Sequence, residues 1–171
     1  ASDVYKRQEL HQPYENLTYY GRGPFENYID RYSGAFIGRY EDKVENQFYW
    51  YIRPQETGNK TDVRWLTLLD SGGLGVKITG LQPISFSALH FSPEDLDPGL
   101  TRKLQHTIDI VPQKNIFLHV DLKQLGLGGD NSWGMYPHNE YRLLDKKYTY
   151  SYMIELVEKG SDKNDYLNSR K

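Results

Sequence analysis

The chain contains no cysteine, so disulfides, thiolate nucleophiles and cysteine metal sites are all excluded, and the redox compartment stays open. It also lacks any surplus of one charge. Twenty-one Lys and Arg side chains face 23 Asp and Glu, a formal net charge of −2, and no basic block tracks a phosphate backbone. Nucleic acid is therefore not an expected partner. No apolar run approaches membrane-spanning length, so no membrane partner is expected either. What the chain has instead is aromatic surface: 15 Tyr, 3 Trp and 6 Phe in 171 residues, an excess that suits both β-sheet packing and carbohydrate contact. The length allows one domain, or part of one, with a real core.

Strand signals recur at short spacing. Aromatic or β-branched runs at Ala35–Tyr40, Gln47–Arg53, Thr61–Asp70, Leu74–Thr79 and Ile84–Phe91 are separated by Gly, Pro, Asn and Asp. Lys103–Val111, Asn115–Leu122 and Tyr148–Val157 continue the series, and alternation is clear in ISFSALHF and IFLHVDL. One short helix is predicted at Ser92, with serine as N-cap, Pro93 at the first helical position and Glu94 and Asp95 in the first turn. The pattern reads as an all-β, antiparallel β-sandwich. Residues 9–158 form the expected domain. DVYKRQ at Asp3–Gln8 reads as a translated sequencing-adapter scar, which sets residues 1–8 aside from fold reasoning and implies a natural start further upstream. The polar stretch from Lys159 to Lys171 reads as a frayed tail.

Three motifs carry chemistry. GLGGDNSWG, from Gly126 to Gly134, crowds three glycines into four positions, then leads through Asp130 and Asn131 to Trp133. Glycine permits tight turns, Asp and Asn fold back on local N–H groups, and the loop ends on the largest flat apolar side chain. Either the tryptophan tucks into the core, or it offers a platform to the C–H face of a sugar. The second motif is YGRGPFENYIDR, Tyr20 to Arg31, read as an irregular turn forced by Gly21, Gly23 and Pro24. The third is RPQETGN, Arg53 to Asn59, followed by Asp62-Val63-Arg64-Trp65. Across the last two, Glu26, Asp30, Arg31, Arg53, Glu56 and Arg64 are expected to form a carboxylate–guanidinium network that fixes the loops. The competing reading makes Glu26 and Glu56 a glycosidase acid/base pair. His11, His90, His106, His119 and His138 show no HxxxH or HxH pairing, so no metal site is expected.

Taken in order, YGRGPFENYIDR, RPQETGN with DVRW, FSPEDLD and GLGGDNSWG, closed by YRLLDKKYTYSY, resemble the C-terminal domain of glycoside hydrolase family 2 β-galactosidases, from about Leu17 to Val157. The resemblance implies roughly the second half of a galactose-mutarotase-like supersandwich. It also implies that the two catalytic glutamates lie in an upstream TIM barrel, so that no residue of this chain is catalytic. Trp133, with Asp130 and Asn131 shaping its loop, would contact a β-galactoside at the rim of the active site. The magnesium and sodium ions of the family are implied to be bound mainly in other domains, so no cofactor is assigned here. Expected partners are the upstream domains of the same enzyme or a separate large subunit, with a homo-oligomeric parent also admitted. Two other classes compete: a free-standing carbohydrate-binding module, and a mutarotase-type epimerase using His90, His106 or His119 with Glu56.

Overall fold

The computed structural model describes residues 3–11, 13–97, 99, 105–131 and 133–158. The strands are β1 (Asp3–Leu10), β2 (Asn16–Gly23), β3 (Phe36–Lys43), β4 (Lys60–Leu69), β5 (Gly75–Leu89), β6 (Ile116–Gln124) and β7 (Tyr152–Val157), and an α-helical turn, α1, spans Pro93–Leu96. Every pairing is antiparallel, in the order β1-β6-β5-β4-β2-β3, with β7 alongside β5. The all-β antiparallel fold read from the sequence is the fold observed.

The organising element is β5, a single strand of 15 residues where the sequence suggests two. Its first part, Gly75–Gly80, pairs with β4 on one side and β7 on the other, while Ser85–Leu89 takes β6 as the second neighbour. Pro83 lies where the neighbours change, outside the ladder registers, which is where a residue without an N–H is tolerated. Ile84, Phe86 and Ala88 point into the main core with Leu17, Tyr19, Leu66, Leu68, Ile116, Leu118 and Val120. The alternating partners Ser85, Ser87 and Leu89 are buried as well. Leu89 joins a second cluster with Phe48, Phe91, Leu96 and Ile110, so loops cover the sheet's other face at this end.

Several expected elements differ. β2 lies where the sequence suggests an irregular turn, since Gly21 and Gly23 read as breakers. They are interior positions of the alternation: a Cβ on Gly21 would come within 2.6 Å of Val63 Cγ2 on β4, so glycine permits the close approach. No strand forms at Gln47–Arg53. After a 3₁₀ turn at Val44–Asn46, Phe48 is drawn into the second cluster. There the Tyr49 N–H donates to Thr57 Oγ1 at 3.3 Å and the Tyr51 carbonyl accepts from the Thr107 hydroxyl, so loop partners take the place of a ladder. Of the run Lys103–Val111, Lys103 and Leu104 lie outside the described residues. The remainder turns at Thr107–Asp109, where Asp109 Oδ2 accepts from the His106 N–H at 2.8 Å. β7 starts only at Tyr152. The helical turn is where the sequence puts it, with a reciprocal cap: Asp95 N–H to Ser92 Oγ at 3.1 Å, and Ser92 N–H to Asp95 Oδ2 at 2.8 Å. β1 pairs with β6 as an edge strand over Asp3–Leu10, so residues 3–8, set aside as a scar in the sequence analysis, lie in the sheet together with Glu9 and Leu10. Lys159–Lys171 lies outside the described residues.

Candidate functional site

The loop after β6 is anchored from three directions. The Gly126 N–H donates to the Tyr141 carbonyl and the Gly128 N–H to Asp30 Oδ2, at 2.8 and 2.7 Å. His138 Nε2 lies 2.8 Å from Asp130 Oδ1. A Cβ on Gly126 would meet both Asp30 Oδ2 and Tyr141 Cβ at 2.8 Å, so the loop lies flat against its supports because residue 126 has no side chain. Asn131 Oδ1 then accepts from the Trp133 N–H at 3.0 Å, an Asx turn that aims the indole outward. Trp133 is 85% exposed, so its ring lies outside the core. The hydrogen bond to Asp130, whose carboxylate accepts, is reinforced by that carboxylate's charge and raises the pKa of His138 above the ordinary histidine value.

Of the six residues expected to share one ionic network, the structure joins Glu26 and Arg31, at 2.6 Å. Asp30 instead supports the tryptophan loop, while Glu56 Oε1 accepts from Gln124 Nε2 at 2.7 Å. Arg64 donates to the Asp62 carbonyl, and Arg53 is exposed with no ion pair among the described residues. The charges separate because the two motifs are held together mainly by amides. Asn27 and Asn59 exchange bonds of 2.8 Å, Asn27 N–H to the Asn59 carbonyl and Asn59 Nδ2 to the Asn27 carbonyl. Asn27 Oδ1 also accepts from the Thr61 N–H at 3.0 Å and its hydroxyl at 2.5 Å. Asn27 is fully buried, and the sequence reading missed it. Its one signal is an amide flanked by turn residues in both motifs.

Glu26 is saturated. Oε1 accepts from Arg31 and the Tyr51 hydroxyl, and Oε2 from Thr57 Oγ1 at 2.7 Å and the Gly58 N–H at 2.9 Å. Burial works to raise its pKa, but the bonds from Tyr51, Gly58, Thr57 and Arg31 outweigh it and hold the carboxyl below the ordinary value. Glu26 therefore stays ionised, with no proton to give near neutral pH, and both its oxygens are already taken by donors, which argues against either role in an acid/base pair with Glu56. Nearby, Lys60 is buried with Nζ donating to Gln47 Oε1 at 2.9 Å and to the Gly58 carbonyl at 3.1 Å. Burial pushes its pKa down to about 8, opposed by the charges of Glu26 and Asp42.

Two concavities flank these loops. Phe25, Arg31, Ser33, Gly34, Tyr49 and Tyr51 surround an opening with Glu26 in its wall. A second cleft, of about 470 Å³, is lined by Glu56, Ser87 and His119 together with Phe91 and Phe117. Of the histidines considered for epimerase chemistry, His119 shares this cleft with Glu56. His90 is tied to Glu15 at 3.0 Å and to the Asn115 carbonyl at 3.1 Å, and His106 is exposed beside Asp109. Among the described residues no group of three or more His, Asp or Glu is placed to hold a metal.

Residues 7–154 match the family described as Beta galactosidase small chain. The chain is 37% identical over 147 residues to a β-galactosidase of Priestia megaterium, a match that covers 85% of this chain and 14% of the relative. It is 38% identical over 144 residues to a β-galactosidase of Streptococcus thermophilus, covering 83% of this chain and 14% of the relative. A third, from Halalkalibacterium halodurans, is 35% identical over 136 residues, covering 79% and 13%. The chain thus spans about 14% of the length of the first two relatives.

Proposed function

Since the chain belongs to the β-galactosidase small-chain family, we propose that it is an accessory region of a β-galactosidase that completes the rim of the active site. In this reading Trp133 stacks on a terminal β-D-galactoside, with Asp130 and Asn131 holding its loop, and the catalytic glutamates lie in an upstream TIM barrel. The observation that carries it is a fully presented indole on a loop anchored at Asp30, Tyr141 and His138. A flat exposed ring held at the end of a rigid polar loop offers a face on which the C–H side of a sugar can stack. The saturated, ionised state of Glu26 supports the second half of the reading, because it leaves this carboxylate unsuited to proton transfer.

The direct test is hydrolysis of 4-nitrophenyl β-D-galactopyranoside. The 171-residue chain is expected to show none, whereas the protein encoded by its reading frame extended upstream is expected to turn it over. Hydrolysis by the chain itself, abolished by Glu26→Gln or Glu56→Gln, would overturn the assignment.

One observation favours a second reading, a mutarotase-type epimerase. His119 and Glu56 line the same cleft, which brings a candidate base and a candidate acid to one opening. Polarimetry on freshly dissolved α-D-galactose separates the two readings: accelerated mutarotation, lost in His119→Asn, belongs to the epimerase alone.

A further inference from the structure

The opening beside Glu26 is a candidate ligand site that the rim reading does not use. Its volume, about 340 Å³, falls at the lower end of the range of small-molecule sites, about 300–1,000 Å³. Phe25 and Tyr49 line it and are more than half exposed, so two aromatic side chains are presented to whatever enters. Tyr51 lies against Tyr49, ring centroids 4.6 Å apart. The polar wall is prebuilt: Glu26, with both oxygens satisfied, fixes the Tyr51 hydroxyl and the Nη2 of Arg31. No described residue takes the Nε or Nη1 donors of Arg31, whose side chain is 55% exposed. Because Glu26 neutralises the guanidinium at 2.6 Å, the site offers directed N–H groups without net positive charge. Flat apolar walls, fixed donors and no net charge suit a neutral polyhydroxylated ring better than an anion.

The position matters as much as the chemistry. The turn Tyr28–Arg31, closed by reciprocal backbone bonds of 3.2 and 2.8 Å, carries Arg31 into this pocket. The same turn sends Asp30 to the Gly128 N–H of the tryptophan loop. The pocket and the Trp133 loop therefore stand on one support. We infer that the Phe25–Arg31–Tyr49 pocket is a second saccharide subsite, which holds a further pyranose unit of a longer galactoside. The inference rests on the rim reading of Trp133.

The test compares two substrates in the full protein encoded by the extended reading frame: 4-nitrophenyl β-D-galactopyranoside and a β-1,4-linked galactotetraose. Tyr49→Ala and Phe25→Ala are expected to lower kcat/KM on the tetrasaccharide about tenfold more than on the nitrophenyl substrate. Tyr49→Phe, which keeps the ring, should restore the ratio. Trp133→Ala should lower both substrates together. If Trp133→Ala changes neither while the Tyr49 ratio still shifts, the rim reading fails and the pocket stands. An unchanged ratio in Tyr49→Ala and Phe25→Ala overturns the subsite, as does wild-type protein that does not turn over the tetrasaccharide. An equal loss on both substrates with a lowered melting temperature also overturns it, and identifies this face as one packed against another part of the enzyme.

Discussion

Replacing Glu26 by alanine separates a structural carboxylate from a catalytic one. The substitution strips the acceptor from the Thr57 hydroxyl and the Gly58 N–H, both in buried residues, and from the Tyr51 hydroxyl and Arg31. A buried donor left without an acceptor costs about 1–3 kcal/mol, so the Thr57 and Gly58 donors together account for about 2–6 kcal/mol. The Arg31 ion pair adds at most about 1 kcal/mol, because the guanidinium is more than half exposed and solvent screens the pair. Glu26→Gln keeps one acceptor oxygen but turns an amide N–H₂ toward Arg31, and should cost about 1–2 kcal/mol. The assay is equilibrium urea unfolding followed by tryptophan fluorescence, read at the midpoint with the slope unchanged. The pH dependence has a definite sign. A carboxyl whose folded pKa lies below its unfolded value contributes stability above the ordinary glutamate range and loses it as the pH falls through the folded value. Wild-type protein should lose stability on acidification in a step that Glu26→Gln lacks. A Glu26→Ala protein destabilised by less than about 1 kcal/mol would refute the reasoning, since the saturated carboxylate would then not be holding the loops.

Lys60 should shape the alkaline limb of the stability curve. Its folded pKa of about 8 lies below the ordinary 10.5, so between those values the unfolded chain binds a proton that the folded chain releases, and stability rises with pH. The melting temperature should therefore climb from pH 8 toward pH 10. Above that, Tyr19 and Tyr28, both raised by burial, reverse the trend because the unfolded chain ionises first. A flat melting profile over pH 8–10 would contradict this account of Lys60. A third expectation concerns the sheet. β7 has β5 as its ladder partner and leaves Met153, Ile154 and Leu156 exposed, so the 171-residue chain should self-associate, and extending it upstream should yield soluble protein with cooperative melting. Sedimentation velocity reads the outcome, and a monomeric chain would contradict the expectation.

The legible parts of the fold were those in which local pattern and tertiary context agree. ISFSALHF and IFLHVDL alternate because they are the paired β5 and β6 strands, and Ser92–Asp95 caps a helical turn by contacts three residues apart. The reading failed where distant contacts override local chemistry. Gly21 reads as a breaker until Val63 is seen to require its missing Cβ, and Phe48–Tyr51 reads as a strand until Phe91 and Thr57 are seen to hold it as a loop. The same holds at the site. The tryptophan loop could be picked out from its glycines and Asx residues. That Asp30 supports it from nearly a hundred residues away, and that Asn27 and Asn59 bind the two earlier motifs, is information only the fold contains.

The measurement that bears most directly on the central claim is Trp133→Ala in the protein encoded by the extended reading frame, with kinetics and melting temperature taken together. A rim platform predicts kcat/KM on 4-nitrophenyl β-D-galactopyranoside lower by about 1–2 kcal/mol, or roughly tenfold, with the melting temperature unchanged. Unchanged kcat/KM, with or without a fall in melting temperature, would contradict a role for Trp133 in binding substrate.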